Sequence, residues 1–211
     1  MSHQARRGVH RARGVRHRRV PLRTRARTQR GAALVEAVLI TPIFLLVLFG
    51  TFEFSLALRD YLALQSGSRA AVRVGSTAGN AGMADFDLLA AYKQGAKALQ
   101  GSSTLSEIVV WKATGPNDTL SAGDPCLTSS VAGRCNRYDA SSLTQPSTKF
   151  GCGTGTLDGY WCPTTRKVRQ SDPPDYIGVY VRIVHQNPTG IFGASRTFTE
   201  QNVMRLEPQR L

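Results

Sequence analysis

AALVEAVLITPIFLLVLFGTFEFSLAL, residues 32–58, is the stretch whose reading decides the architecture. Sixteen consecutive residues within it, Ala37 to Phe52, carry no charge and separate Glu36 from Glu53. With a helical rise of about 1.5 Å per residue, Glu53 stands roughly 32 Å beyond Ala32, close to the ~30 Å hydrocarbon thickness of a bilayer. Both glutamates then fall near the interfaces, where a carboxylate costs less than the roughly 2.5–3.5 kcal/mol of a midplane site. The run is too long for an ordinary signal-peptide core, and no A-x-A cleavage motif follows it. A core helix of a soluble protein is the competing reading. The length, the scarcity of polar groups and the arginine block in front of the run favour a membrane span.

That block explains the net charge. Of the formal +13, eleven positive charges are the arginines 6, 7, 11, 13, 16, 18, 19, 23, 25, 27 and 30, in a segment without Asp or Glu, so the rest of the chain carries only +2. By the positive-inside rule such a flank fixes the N-terminus in the cytoplasm and puts the C-terminal part outside. Residues 1–30 also lack an apolar period and large aromatics, so they cannot offset the entropy of ordering, and disorder is expected. DNA association by this arm would be generic to its arginines, and no specific nucleic-acid partner is expected.

Beyond the span, SLALRDYLALQSGSRAAVRVG continues at helical spacing, with Phe54, Leu58, Tyr61, Leu62, Gln65 and Val72 near one face and an end expected at Gly75. If the chain were cut between Gly31 and Ala32, the new α-amine would lie one helical turn from Glu36, in reach of its carboxylate in the same chain or a neighbour. The string Gly31-Ala32-Ala33-Leu34-Val35-Glu36 resembles a type IV prepilin processing site. The longer stretch resembles the TadE-like family of pseudopilins: a basic leader, Gly31 with Glu36, an early Pro42, a second Gly-x-x-Glu at Gly50 and Glu53, then Arg69 and Arg73 among small residues. Near the C-terminus, RTFTEQNVMRLEP is similar to that family's closing strand, with Met204, Arg205, Glu207 and Pro208 in matching places. Two departures stand out. Ala37 occupies the position where Flp-type major pilins usually carry Tyr, and a cysteine-bearing insertion at about 115–174 has no counterpart.

The cysteines Cys126, Cys135, Cys152 and Cys162 lie in that insertion without a C-x-x-C knuckle, so two disulfides in an oxidising compartment are expected rather than a metal site. Three connectivities are open; pairing Cys126 with Cys135 and Cys152 with Cys162 is the most local. ADFDLLAAYKQGAKALQG reads as a second helix with a face of Phe86, Leu89, Ala90, Lys93 and Ala96 or Lys97, weakened by Gly95. SEIVVWKA, IGVYVRIVHQ and RTFTEQNVMRL read as three strands. His185 is the one histidine outside the leader and alternates with strand residues, so a structural role is expected; neither a catalytic set nor a cofactor is. Trp161, beside Cys162, is expected to pack on a disulfide.

The expected fold class is α+β: a long N-terminal transmembrane, pilin-like helix, then a small extracytoplasmic head with an antiparallel sheet and a disulfide-stapled loop region. The expected divisions are a cleaved leader at 1–31, the helix at 32–75 and the head at 76–211. The resemblance implies a non-enzymatic, single-pass minor pseudopilin of a tight adherence (Flp-type IVb) pilus or related secretion system. A prepilin peptidase would process it after Gly31, and its partners would be other pilin-like subunits and the pilus assembly platform. The alternative is an uncleaved single-pass membrane protein with an extracytoplasmic binding domain.

Overall fold

The apolar run and its continuation form one helix, α1 (Arg25–Ala78), three residues longer at its C-terminal end than the glycine at position 75 had indicated. The structure, a computed structural model, describes residues 25–99, 101, 103–169 and 173–207. Of residues 1–30, where disorder was expected, 1–24 lie outside the described residues, as does the matching place of Pro208, while 25–30 are instead helical, the first turns of α1. The chain divides at Leu46/Val47 into two compact units, each described by itself.

In the first unit, residues 31–46 are helical and exposed throughout. Gly31–Ala78 is long and apolar enough to cross a membrane. Pro42 lies inside this helix, and beside it the Thr41 hydroxyl donates to the Ala37 carbonyl at 2.6 Å. Proline at this position has no N–H to offer the Val38 carbonyl, one residue beyond the Ala37 carbonyl that takes the Thr41 hydroxyl.

The second unit begins with the rest of α1. Its packed face is a row of small and polar residues: Glu53, Ala57, Asp60, Leu64, Gly67, Ser68, Ala71, Val72, Gly75 and Ser76 are buried. This corrects the face expected from sequence, because Phe54, Leu58 and Leu62 are exposed. The large apolar residues here stay exposed, and the small ones allow close approach. A Cβ on Gly67 would meet the Ala96 methyl at 2.8 Å, and one on Gly75 would meet Leu88 at 2.7 Å.

Helix α2 (Ala84–Gly95) ends earlier than its sequence indicated and passes into a short 3-10 turn at Lys97–Leu99. It buries Ala84, Asp85, Leu88, Leu89 and Tyr92, so its core face is rotated from the expected one; Ala90 and Lys93 are exposed. Strands β1 (Ser103–Ala113), β2 (Cys135–Tyr138), β3 (Tyr176–Gln186) and β4 (Ser195–Arg205) form an antiparallel sheet in the order β2-β1-β3-β4. Three strands coincide with those expected; β2, four residues from the insertion, is an addition.

Alternation along β1 separates two cores. Ile108 and Val110 join Ile177, Val179, Val181 and Ile183 against Leu64, Val72, Leu88 and Tyr92 of the helices. Val109 and Trp111 face the other way with Tyr180, and the insertion covers them with Leu120, Cys126 and Cys135. The α+β class therefore holds, and the central strands β1 and β3 are covered on both faces, while β4 keeps no fully buried residue.

Candidate functional site

The residues singled out along α1 fall into two groups. Gly31, Ala32, Glu36 and Pro42 are exposed on the helix, and nothing lies within 4 Å of where a Gly31 Cβ would stand. Gly50 and Glu53, by contrast, meet the turn between β3 and β4. The Phe192 ring is 3.5 Å from the position of a Gly50 Cβ, and the Gly190 amide donates to Glu53 Oε1 at 3.2 Å. Glu53 is only 2% exposed. A glycine at position 50 keeps the helix surface low enough for an aromatic from the turn to lie on it. Around this contact is a cleft of about 460 Å³ lined by Gly50, Thr51, Glu53, Phe54, Asn187, Phe192 and Arg196 among others.

Glu53 is the first rung of a polar series on the packed face of α1, spaced by seven or eight residues, about two helical turns. The second is Asp60, whose Oδ2 accepts from Ser103 Oγ at 2.6 Å and contacts His185 Nδ1 at 2.8 Å. The third is Ser68, whose hydroxyl accepts from Asn202 Nδ2 at 2.9 Å. The fourth is Ser76, which donates to the Arg205 carbonyl at 2.6 Å, while its own carbonyl takes the Glu207 amide. These bonds hold β3 and β4 in register along the helix. Each buried polar group would be costly without its partner.

His185, Asp60 and Ser103 have the composition of a nucleophilic relay but a different geometry. Ser103 Oγ lies 3.3 Å from Nδ1, the same ring nitrogen that contacts Asp60, whereas a relay places the hydroxyl on the opposite nitrogen. Nε2 is buried without a hydrogen-bond partner among the described residues. The group ties β1 and β3 to α1, the structural role expected for His185.

Cys126 bonds to Cys135 and Cys152 to Cys162, the most local of the three connectivities. No cluster among the described residues is arranged to hold a metal ion. The first bridge is buried against Trp111 and Tyr180; the second closes a loop whose Gly151 and Cys152 amides donate to the buried Asp158 carboxylate at 2.8 and 3.1 Å. Trp161 belongs to the main core, and its ring carries the Arg166 guanidinium at 4.2 Å. Arg166 is itself buried on Asp85 at 2.6 Å, and Asp85 also accepts from Tyr138 and Asn136. This network, which joins the insertion to α2, has no signature in the sequence. Its members are spread over 81 residues and surrounded by ordinary loop composition.

Comparison with known proteins adds one match. The family model described as TadE-like protein matches residues 31–73, beginning at Gly31 and ending at Arg73. No curated protein and no solved structure matches the chain. The resemblance read from residues 31–73 is therefore borne out over that segment.

Proposed function

We propose, taking residues 31–73 as a TadE-like segment, that this chain is a minor pseudopilin, a structural and assembly component of a tight adherence (Flp-type IVb) pilus or a related secretion system. At the coarser level the family match and a helix fit to cross a membrane support a pilus-associated membrane protein. In the finer reading the arginine-rich leader stays in the cytoplasm and the head is exported. A prepilin peptidase cuts between Gly31 and Ala32. The freed amine of Ala32, or that of a neighbouring subunit, then pairs with Glu36 and offsets a carboxylate otherwise expensive beside lipid. The partners are the peptidase, other pilin-like subunits and the assembly platform, and the protein catalyses no reaction.

The observation that carries this reading is the coincidence of two boundaries: the family match starts at Gly31, the residue after which the Gly31-to-Glu36 string would be cut. The exposure of Gly31, Ala32 and Glu36 leaves that peptide accessible to a peptidase and the carboxylate accessible to another subunit. Co-expression with a prepilin peptidase and N-terminal sequencing of the product tests it. The expected mature chain begins at Ala32, and Gly31→Leu is retained at full length. An intact leader in the wild type, or cleavage elsewhere, overturns the proposal.

A further inference from the structure

The cleft beside the end of the uncharged run of α1 has an apolar floor of Gly50, Phe54 and Phe192 and two opposite charges, Glu53 and Arg196. Glu53 Oε1 is used by the Gly190 amide, but Oε2 is buried with no hydrogen-bond partner among the described residues. A buried carboxylate oxygen without a donor is unfavourable, so Oε2 is the point at which a hydrogen-bond donor entering the cleft would gain most. On the other side the Arg196 guanidinium lies over the Phe192 ring at 5.6 Å, and that ring is half exposed. Phe52 and Phe54 flank Glu53 on the same helix and are also exposed, at the end of the uncharged run. If α1 spans a bilayer, the mouth of this cleft opens at its boundary, where amphipathic aromatics and arginines characteristically sit.

We propose that the cleft holds the headgroup of a zwitterionic aminophospholipid. The primary ammonium donates to Glu53 Oε2 as the Phe192 ring turns aside, the phosphate pairs with Arg196, and the glycerol and first acyl carbons lie on Phe54 and Phe192. The volume of about 460 Å³ falls in the range of small-molecule sites. A basic side chain from a second copy would answer Glu53 alone; the lipid answers both charges and the apolar floor together. The inference rests on the reading of α1 as a membrane span.

The test uses full-length protein in detergent, titrated with phosphatidylethanolamine, phosphatidylcholine and phosphatidylglycerol of identical acyl chains and followed by native mass spectrometry. The expected result is retention of phosphatidylethanolamine about tenfold above the other two, a difference of one decade in affinity. Glu53→Gln should lower it to the phosphatidylcholine level, and Arg196→Gln should weaken all three. Equal retention of the three lipids, a preference for phosphatidylglycerol, or Glu53→Gln abolishing a protein dimer while lipid retention is unchanged would each overturn the proposal. Should Glu53→Gln misfold by circular dichroism, Arg196→Gln and Arg196→Glu on the exposed strand carry the test: unchanged retention in both sinks it. A C-terminal phosphatase fusion reports independently whether the head is exported, so failure of the lipid site and failure of the membrane topology are told apart.

Discussion

Tyr92 buries its hydroxyl with no hydrogen-bond partner among the described residues, whereas Tyr138 donates its own to Asp85 at 2.6 Å. Both phenols are held neutral. Burial raises the ionisation of each above the usual value, and for Tyr138 the neighbouring Asp85 charge raises it further. A folded-state value above the unfolded one means the contribution is complete below about pH 10 and is lost as pH rises towards the folded value. Melting temperature should therefore fall with increasing alkalinity above about pH 10. Tyr92→Phe removes one source of this loss and one unsatisfied polar atom. It should be neutral or stabilising by up to about 1 kcal/mol at pH 7, with a shallower alkaline slope in thermal melts. A clear destabilisation at pH 7 would mean that the Tyr92 hydroxyl has a partner. At this scale the sequence was informative about individual types, such as a structural His185, but it could not display which atoms are orphaned. That depends on partners as far as 137 residues away.

Among elements, Gly95 shows how a local rule can mislead. A glycine in a helical pattern lowers helix propensity by about 1 kcal/mol relative to Ala, and α2 does end there. Yet a Cβ at this position would stand 2.9 Å from the Gly67 Cα and 3.1 Å from the Ser66 carbonyl oxygen, so Gly95 is where the two helices come closest. Gly95→Ala should accordingly lower stability by roughly 1–3 kcal/mol despite its better propensity, read as a lower denaturation midpoint. The core face of α1 was misassigned for a related reason. Hydrophobic periodicity assumes that large apolar residues point inward, whereas here Phe54, Leu58 and Leu62 are exposed while alanines, glycines and paired polar groups pack. Strand β2 was missed because four residues, Cys135 to Tyr138, are too few for alternation to register. That strand predicts an inequality between the bridges. Each should contribute roughly 2–3 kcal/mol by ring closure. Replacing Cys126 and Cys135 by Ser should lower the melting temperature more than replacing Cys152 and Cys162, because both sulfurs of the first pair are in the core beside β2, while Cys152 and Cys162 are only half-buried. Equal shifts would assign the bridges the same, purely topological, part.

On the scale of the whole molecule, the anchor and the three long strands were legible because each is a continuous pattern in the chain. The Glu53 cleft was legible only as a Gly-x-x-Glu string; its walls come from the turn after β3, some 137 residues further on. The order of the disulfides has a temporal meaning. Each bridge joins consecutive cysteines, Cys126 with Cys135 and then Cys152 with Cys162. For a head that crosses a membrane in N-to-C order behind a retained N-terminus, every cysteine of an even position in the series arrives to find its correct mate as the sole free thiol already present. Vectorial delivery by itself then proofreads the pairing. A cell supplying a thiol oxidant but no disulfide isomerase should therefore yield correctly bridged protein in undiminished amount, as checked by non-reducing peptide mapping; scrambled bridges in the isomerase-deficient strain would show that the chain emerges faster than it oxidises.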